Sequence, residues 1–412
     1  MHLRNNLLAI SFVLFISNIA FSQKDSLRSY PIIIQDSPAQ LFTMRQMNQD
    51  YLSSYRFLSK ELNKACKPYV SLPIQFVLTS FFFMPLTHEE GHRSILTANG
   101  IGSISQPYFN DKGAAYVTGV TDAQLQQLRD QNLPEYIRLH TAGLESDYML
   151  TLRAETLAAF DEEDQETLFM EYLVRKFSHI SYYAMSVISV VSFDFEEEDN
   201  ELERDIVGHD VHGAIRHLYR PDMDFYRYTN HSDLTKQEEK YVKRVAGLSL
   251  LNILNPMAIG KSNFSIGKNL KFSAGMGYNM APFGDFIDEH LWLSYKNKVK
   301  THIYFRQFAN NQAWFNAGGI KIHHLPILRW LEISPSFDIW QQPSNLNFQT
   351  KNSFTGYSGS ITTHLIVNPK KEIRLEKFSF DLNLRYKTKG YLPEELYMNE
   401  STSVFLGMTF WM

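Results

Sequence analysis

From residue 377 the chain reads KFSFDLNLRYK, in which Phe378, Phe380, Leu382, Leu384 and Tyr386 alternate with Ser379, Asp381, Asn383, Arg385 and Lys387. A strand sends successive side chains to opposite faces, so this segment is apolar on one side and polar on the other. The same alternation recurs near 270–278, 289–296, 299–308, 313–322, 330–340, 354–367 and 402–412. Short polar turns such as KNK and longer links such as QPSNLNFQTKN join these segments. Before residue 260 the period differs. Apolar residues recur at helical spacing, and the acidic runs FDEEDQE (160–166) and FDFEEEDNELERD (193–205) are expected to be solvated faces or loops. The predicted fold class is therefore α+β, with a mainly helical domain over 23–255 followed by an antiparallel β-barrel of about eight strands over 256–412.

The N-terminus sets the compartment. MHLRNN carries an arginine, LLAISFVLFISNIAFS is apolar, and Ala20, Phe21 and Ser22 end it with small residues where a signal peptidase would cut. Residues 1–22 read as a signal peptide, so the mature chain is expected to be exported. The single cysteine, Cys66, cannot form an internal disulfide. A net charge of −4 carries no nucleic-acid footprint. Strands of about ten residues rich in Tyr, Phe and Trp are the pattern of a transmembrane barrel. The ending SVFLGMTFWM looks like the terminal strand of bacterial outer-membrane barrels, although it closes on Met412 rather than on an aromatic residue. Outer-membrane lipid is thus an expected partner. Eight strands leave an interior about filled by side chains, so a wide channel is not expected. An even strand number with short periplasmic turns would hang the helical domain in the periplasm.

Three apolar stretches precede the barrel: 69–86, 180–193 and 245–260. The first is interrupted by Pro73 and Pro85, and the others are shorter than the roughly 20 residues a span requires. All three are read as core helices.

The chemistry enters with LTHEEGHRSILTANG (86–100). Pro85 suits a first helical turn and Asn99-Gly100 a stop, which predicts a helix from about 85 to 98. His88 and His92 then share one face and can reach one tetrahedral ion at about 2.0–2.1 Å. Glu89, about 100° around from His88, is placed to act as general base on a metal-bound water. Glu90 and Arg93 read as surface or structural residues. The competing reading is a pair of partly buried histidines capped by carboxylates.

This stretch resembles the zincin metallopeptidases, whose HExxH helix supplies two zinc ligands and the base. Their glutamate branch implies a third ligand on a later helix, and HTAGLESDYMLTLRAE (140–155) offers it. There Glu145 shares a face with Ala142, Met149 and Leu152, and a buried carboxylate needs a partner. Asp147 points about 200° away and is expected to be either a partner for a histidine or a surface charge. The chain lacks the histidine-and-glycine extension of the three-histidine branch. A second cluster, DIVGHDVHGAIRHLYRPD (205–222), holds His209, Asp210 and His212 between two glycines. It is read as a substrate or supporting shell, or else as a helix start with a capping residue and a solvated His217. Arg216 and Tyr219 are further candidates for stabilising a tetrahedral intermediate.

The resulting expectation is an exported Zn2+-dependent hydrolase acting on peptides or proteins, anchored by its own barrel, with Glu89 catalytic and His88, His92 and Glu145 on the metal. Two alternatives stand beside it. One is a barrel-anchored binding or scaffold protein whose metal is structural or absent. The other is an intramembrane-type metalloprotease, since the motif ends an apolar stretch, although no downstream aspartate motif is evident around Asn255-Pro256.

Overall fold

The computed structural model describes residues 27–37, 43–109, 115–188, 198–368 and 376–412. The segment read as a signal peptide and part of the second acidic run lie outside them. The described chain opens with strand β1 (Ser29–Ser37) and helix α1 (Met44–Ala65), whose Thr43 cap accepts the Gln46 N–H. Helix α2 (Pro68–Leu78) runs through a π-turn at Thr79–Phe83 directly into α3 (Met84–Ala98). A two-stranded ribbon, β2 (Ile104–Gln106) and β3 (Tyr116–Thr118), leads to α4 (Asp122–Gln131), α5 (Leu133–Ala159), α6 (Gln165–Met185), α7 (Asp210–Tyr219) and α8 (Lys236–Ser249). Strands follow to the end: β4 (Phe264–Ile266), β5 (Leu270–Ala281), β6 (Gly284–Tyr295), β7 (Val299–Ala309), β8 (Trp314–His323), β9 (Leu325–Leu328), β10 (Leu331–Pro343), β11 (Ser353–Val367), β12 (Lys377–Lys387) and β13 (Ser401–Trp411).

The strands do not form the predicted barrel. They make one antiparallel sheet of 11 strands in the order β1, β13, β12, β11, β10, β8, β7, β6, β5, β4, with β9 beside β10, and the two ends do not meet. The correction has a physical origin in β1. This segment from the far N-terminus pairs with β13, from Ser29 opposite Trp411 to Ser37 opposite Val404, so β13 has no edge left for the first strands of the region after 260. Helix α1 covers the free edge of β1. Asp50 accepts the Ile33 N–H at 2.7 Å, Gln46 donates to the Ile33 carbonyl at 3.0 Å, and Ser53 donates to the Pro31 carbonyl at 2.6 Å. Side chains thus satisfy backbone groups that another strand would otherwise pair.

Over much of the sheet apolar residues face outward, although Phe286, Phe308, Phe315 and Trp340 pack inside. Ser379, Asp381 and Asn383 of β12 are buried, whereas Phe380, Leu382 and Leu384 are exposed, and Ile303, Phe305, Phe337 and Ile339 repeat the pattern. The polar face looks inward onto the helices. Tyr148 of α5 donates to Asp288 of β6 at 2.6 Å, and Trp292 of β6 donates to Thr156 of α5 at 3.0 Å.

The acidic run 160–166 is no solvated loop. Glu163 bonds Arg56 at 2.9 Å, Asp164 bonds Arg28 at 2.6 Å, Glu162 bonds Lys300 at 2.9 Å and Asp161 bonds Lys271 at 2.6 Å, which ties the turn after α5 to α1, β7 and β5. Nor is the stretch 69–86 a core helix throughout. Tyr69, Phe76, Val77, Phe81 and Phe82 are exposed, and the helix Pro68–Ala98 is long and apolar enough to cross a membrane by length and composition. Around 245–260 the chain forms the end of α8 and two short 3₁₀ turns, with Leu250, Ile253, Leu254 and Ile259 exposed.

Candidate metal centre

Helices α3 and α5 cross closely because two glycines lie at the contact. A Cβ on Gly91 would sit 2.6 Å from the Ala142 carbonyl oxygen, and one on Gly143 would sit 2.3 Å from His88 Nε2. That approach seats the His88 ring over α5 and fixes its neighbours. His88 Nδ1 lies 2.9 Å from Asp147 Oδ2, and Asp147 Oδ1 accepts from Arg175 of α6 at 2.7 Å. His92 Nδ1 lies 2.6 Å from the Leu139 carbonyl oxygen. An acceptor at each Nδ1 makes that nitrogen the donor, so both Nε2 atoms are left to bind something else.

Both Nε2 atoms face Asp210, the first residue of α7. His88 Nε2 is 3.3 Å and His92 Nε2 is 3.5 Å from Asp210 Oδ2. Two donors about 2.0–2.1 Å from one tetrahedral ion are separated by about 3.3 Å, so these spacings fit edges of a metal tetrahedron. The ligand atoms of His88, His92 and Asp210 all lie within 4.8 Å of one another, and this group can hold a metal ion. Asp210 Oδ2 is buried and meets only these two imidazoles. A carboxylate oxygen withdrawn from water without a donor is costly, and a cation between it and the two imidazoles supplies what is missing.

The electrostatics follow from the packing. Burial by itself would raise the Asp210 carboxyl, yet His92 and His88 pull it well below the usual carboxylate range. Burial likewise disfavours the charged His88, but Asp147 and Asp210 raise it well above the ordinary imidazole value. Glu89 is buried beside the group. Burial pushes its carboxyl up to about 7, with His88 and His92 pulling the other way and Asp205 and Asp210 reinforcing the rise. A carboxyl poised near neutrality is what proton transfer at neutral pH requires.

Glu145 does not join this group. Its wheel position did predict burial, and the residue is 0% exposed, but its partners are Arg138, two turns earlier on α5, at 2.8 and 3.1 Å, the Tyr391 hydroxyl at 3.1 Å and the Glu394 N–H at 2.7 Å. Asp210 stands where a third ligand was sought in Glu145. Asp147 is the partner of a histidine. His209 caps α7 by position only, without a side-chain bond, and its ring stacks on His212 at 3.8 Å, while His212 Nε2 lies 2.9 Å from the Ser186 carbonyl oxygen. His217 is fully buried rather than solvated. Arg216 donates to the carbonyls of Tyr226 at 2.7 Å and Tyr228 at 3.0 Å, and the Tyr219 ring packs on Phe348 and Tyr241. Glu90 accepts from Arg93 at 2.7 Å.

Tyr182 of α6 was not singled out by its sequence context. Its hydroxyl accepts the Asp210 N–H at 3.2 Å, and its ring stands 6.2 Å from that of His88. The stretch ISYYAMS carries no motif that would have revealed it. Compared with protein-family models, curated proteins and solved structures, the chain matches none.

Proposed function

We propose that this protein is an exported zinc-dependent hydrolase acting on peptide bonds and held at the outer membrane by the outer face of its sheet. The observation that carries the catalytic reading is the buried Asp210 Oδ2, which meets only two imidazoles whose other nitrogens are already engaged. Two imidazoles and one carboxylate suit zinc, and three protein ligands among the described residues leave a fourth position, as in catalytic rather than structural sites. When bound, zinc supplies Lewis acidity that polarises a carbonyl and acidifies a water. The chain supplies the remainder. Asp147 and the Leu139 carbonyl orient the two ligand histidines, Glu89 accepts the water proton, and the Tyr182 hydroxyl, which accepts the Asp210 N–H, is the candidate donor to a developing oxyanion.

The membrane reading rests on the apolar outer face. Strands that alternate apolar outward and polar inward are the membrane pattern, and exposed apolar surface on this scale marks a binding or lipid face. Covering β1 with α1 removes one unpaired edge from contact with lipid. A second reading, proteolysis of membrane-embedded substrates, is favoured by the exposed apolar run 69–83 that leads directly into the motif helix.

Protein purified in detergent should carry about one zinc per chain, hydrolyse unstructured peptides, lose that activity to a chelator and regain it with zinc. Protein that takes up no stoichiometric zinc at neutral pH refutes the proposal. Cleavage of a bilayer-embedded segment but of no soluble peptide would select the second reading.

A further inference from the structure

Between β1 and β5, where the strands do not meet, helices fill the gap. Helix α1 covers β1, and α2 packs on α1 through Gln75, which accepts from Tyr55 at 3.2 Å and donates to Asn63 at 2.8 Å. Helix α6 meets α2 where Phe169 and Met170 pack with Leu72. On the far side α6 and the 3₁₀ turns reach β5. Tyr183 accepts the Met280 N–H at 3.2 Å, and the Leu254 carbonyl accepts the Met276 N–H at 2.8 Å. Asn252 accepts the Tyr278 N–H at 3.1 Å and donates to the Tyr278 carbonyl at 3.0 Å. Side chains and a turn thus pair backbone groups of β5, as α1 does for β1.

These segments carry their apolar residues outward, as much of the sheet does. On α2 and the π-turn the buried positions are Ser71, Leu72, Gln75 and Thr79, three of them polar, whereas Tyr69, Phe76, Val77, Phe81 and Phe82 are exposed. At the 3₁₀ turns Ser249, Asn252 and Asn255 are buried, and Leu250, Ile253, Leu254 and Ile259 are exposed. A helix on a water-facing surface turns its apolar stripe to the core instead. No charged residue stands between Lys67 and Glu89. A protein partner would cover one side of the molecule. Here the apolar surface continues from the sheet across the segments that fill its gap, which calls for a solvent that surrounds both. From Tyr69 to Phe82 the exposed face of the helix rises about 20 Å, and His88 follows about 9 Å further on. At that end Tyr108 and Phe109 are exposed, and the Phe109 ring stands 6.2 Å from that of Phe81, an aromatic border of the kind found at bilayer surfaces.

We propose that the outer surface of α2 and of the turns at 250–259 contacts bilayer lipid, so that strands and helices form one membrane wall and the metal centre lies at one surface of the bilayer. This rests on the outer-membrane reading of the sheet and extends it to the helices. The test is spin labelling of single cysteines in the full chain on a Cys66→Ser background, in vesicles of phosphatidylethanolamine and phosphatidylglycerol. Collisions are measured with oxygen, which enters lipid, and with a nickel chelate, which stays in water. Phe76→Cys, Phe81→Cys and Ile253→Cys report the helical segments, Leu382→Cys the sheet and Lys64→Cys the aqueous reference. Nickel collisions at the three helical sites should fall to the level at Leu382, several-fold below Lys64. Depth should be greatest at Phe76 and decrease towards both Lys64 and a label at Phe109→Cys. Nickel collisions at the helical sites equal to those at Lys64, with Leu382 protected, overturn the inference and leave the sheet in the membrane. Equal collisions at all sites, Leu382 included, overturn the membrane reading as well. A label at Phe76 no deeper than one at Phe109 overturns the placement of the metal centre at the bilayer surface.

Discussion

Glu145 and Asp210 are both carboxylates removed from water, at 0% and 3% exposure, and the protein treats them in opposite ways. Glu145 accepts from two nitrogens of Arg138, from Tyr391 and from the backbone of Glu394, so its charge is fully met by the chain. Asp210 Oδ2 meets only two imidazole nitrogens, at 3.3 and 3.5 Å. A buried charge that the chain satisfies serves the fold. At Asp210 the chain leaves a place that a metal ion can fill.

The sharpest way to break this contrast is to remove each carboxylate in turn. Glu145→Gln should leave zinc binding at about one per chain but cost about 3–5 kcal/mol of folding stability, because Arg138 is left buried without its partner. Asp210→Ala should abolish stoichiometric zinc and hydrolysis. Metal analysis beside denaturant unfolding reads both, and zinc lost from the Glu145 variant but kept by the Asp210 variant would reverse the assignment.

A smaller but still large effect separates holding the ion from moving a proton. Glu89→Gln keeps the shape of the side chain and removes the base. Zinc content should stay near one per chain while hydrolysis falls by roughly 10²-fold or more, measured as kcat/KM. Full activity in this variant would leave Glu89 without a chemical role.

What the sequence made legible divides along the same line. The pairing of His88 with His92, the helix that carries them and the face of α5 that buries Glu145 all follow from local periodicity. So do the strands from 270 onward, whose predicted limits lie within a few residues of those observed. What periodicity cannot carry is the identity of a partner across the chain. Arg138 takes Glu145 from the same helix face, whereas Asp210 reaches the histidines from a helix more than a hundred residues later. The barrel expectation failed for the same reason. Alternation in β13 says which side is apolar, not that Ser29–Ser37 will occupy its edge. It also says nothing of whether the apolar side faces a core or lies exposed. Burial shows that it lies exposed.

Asp147 lies between the two extremes, since it touches a histidine of the candidate metal group without itself belonging to that group. Asp147→Asn should keep the hydrogen bond to Arg175 or to His88 but not the charge on both. Zinc affinity should fall by about 10–100-fold in a competitive chelator titration. No change would mean that the Gly143 seat alone orients His88.

The smallest effect tests whether the rule extends from carboxylates to imidazole. His179 of α6 is 2% exposed, with Nε2 3.3 Å from the Tyr278 carbonyl oxygen and Nδ1 unpaired, so the chain offers it too little to hold a charge. Burial holds its imidazole down to about 4, from an ordinary 6.5, with Asp147 and the Tyr278 carbonyl pulling the other way. The sign follows directly. Between pH 6.5 and about 4 the unfolded chain binds a proton at this position and the folded chain does not, so folding stability is full above pH 6.5 and falls as the pH drops. At about 1.4 kcal/mol per pH unit the loss from this residue reaches roughly 3 kcal/mol at pH 4. Urea unfolding in detergent at pH 7, 6, 5 and 4 should show wild type losing stability more steeply than His179→Gln, which cannot take up the proton. Parallel curves for the two proteins would mean that His179 finds a partner when charged, and that incomplete satisfaction at a buried group does not by itself mark a site.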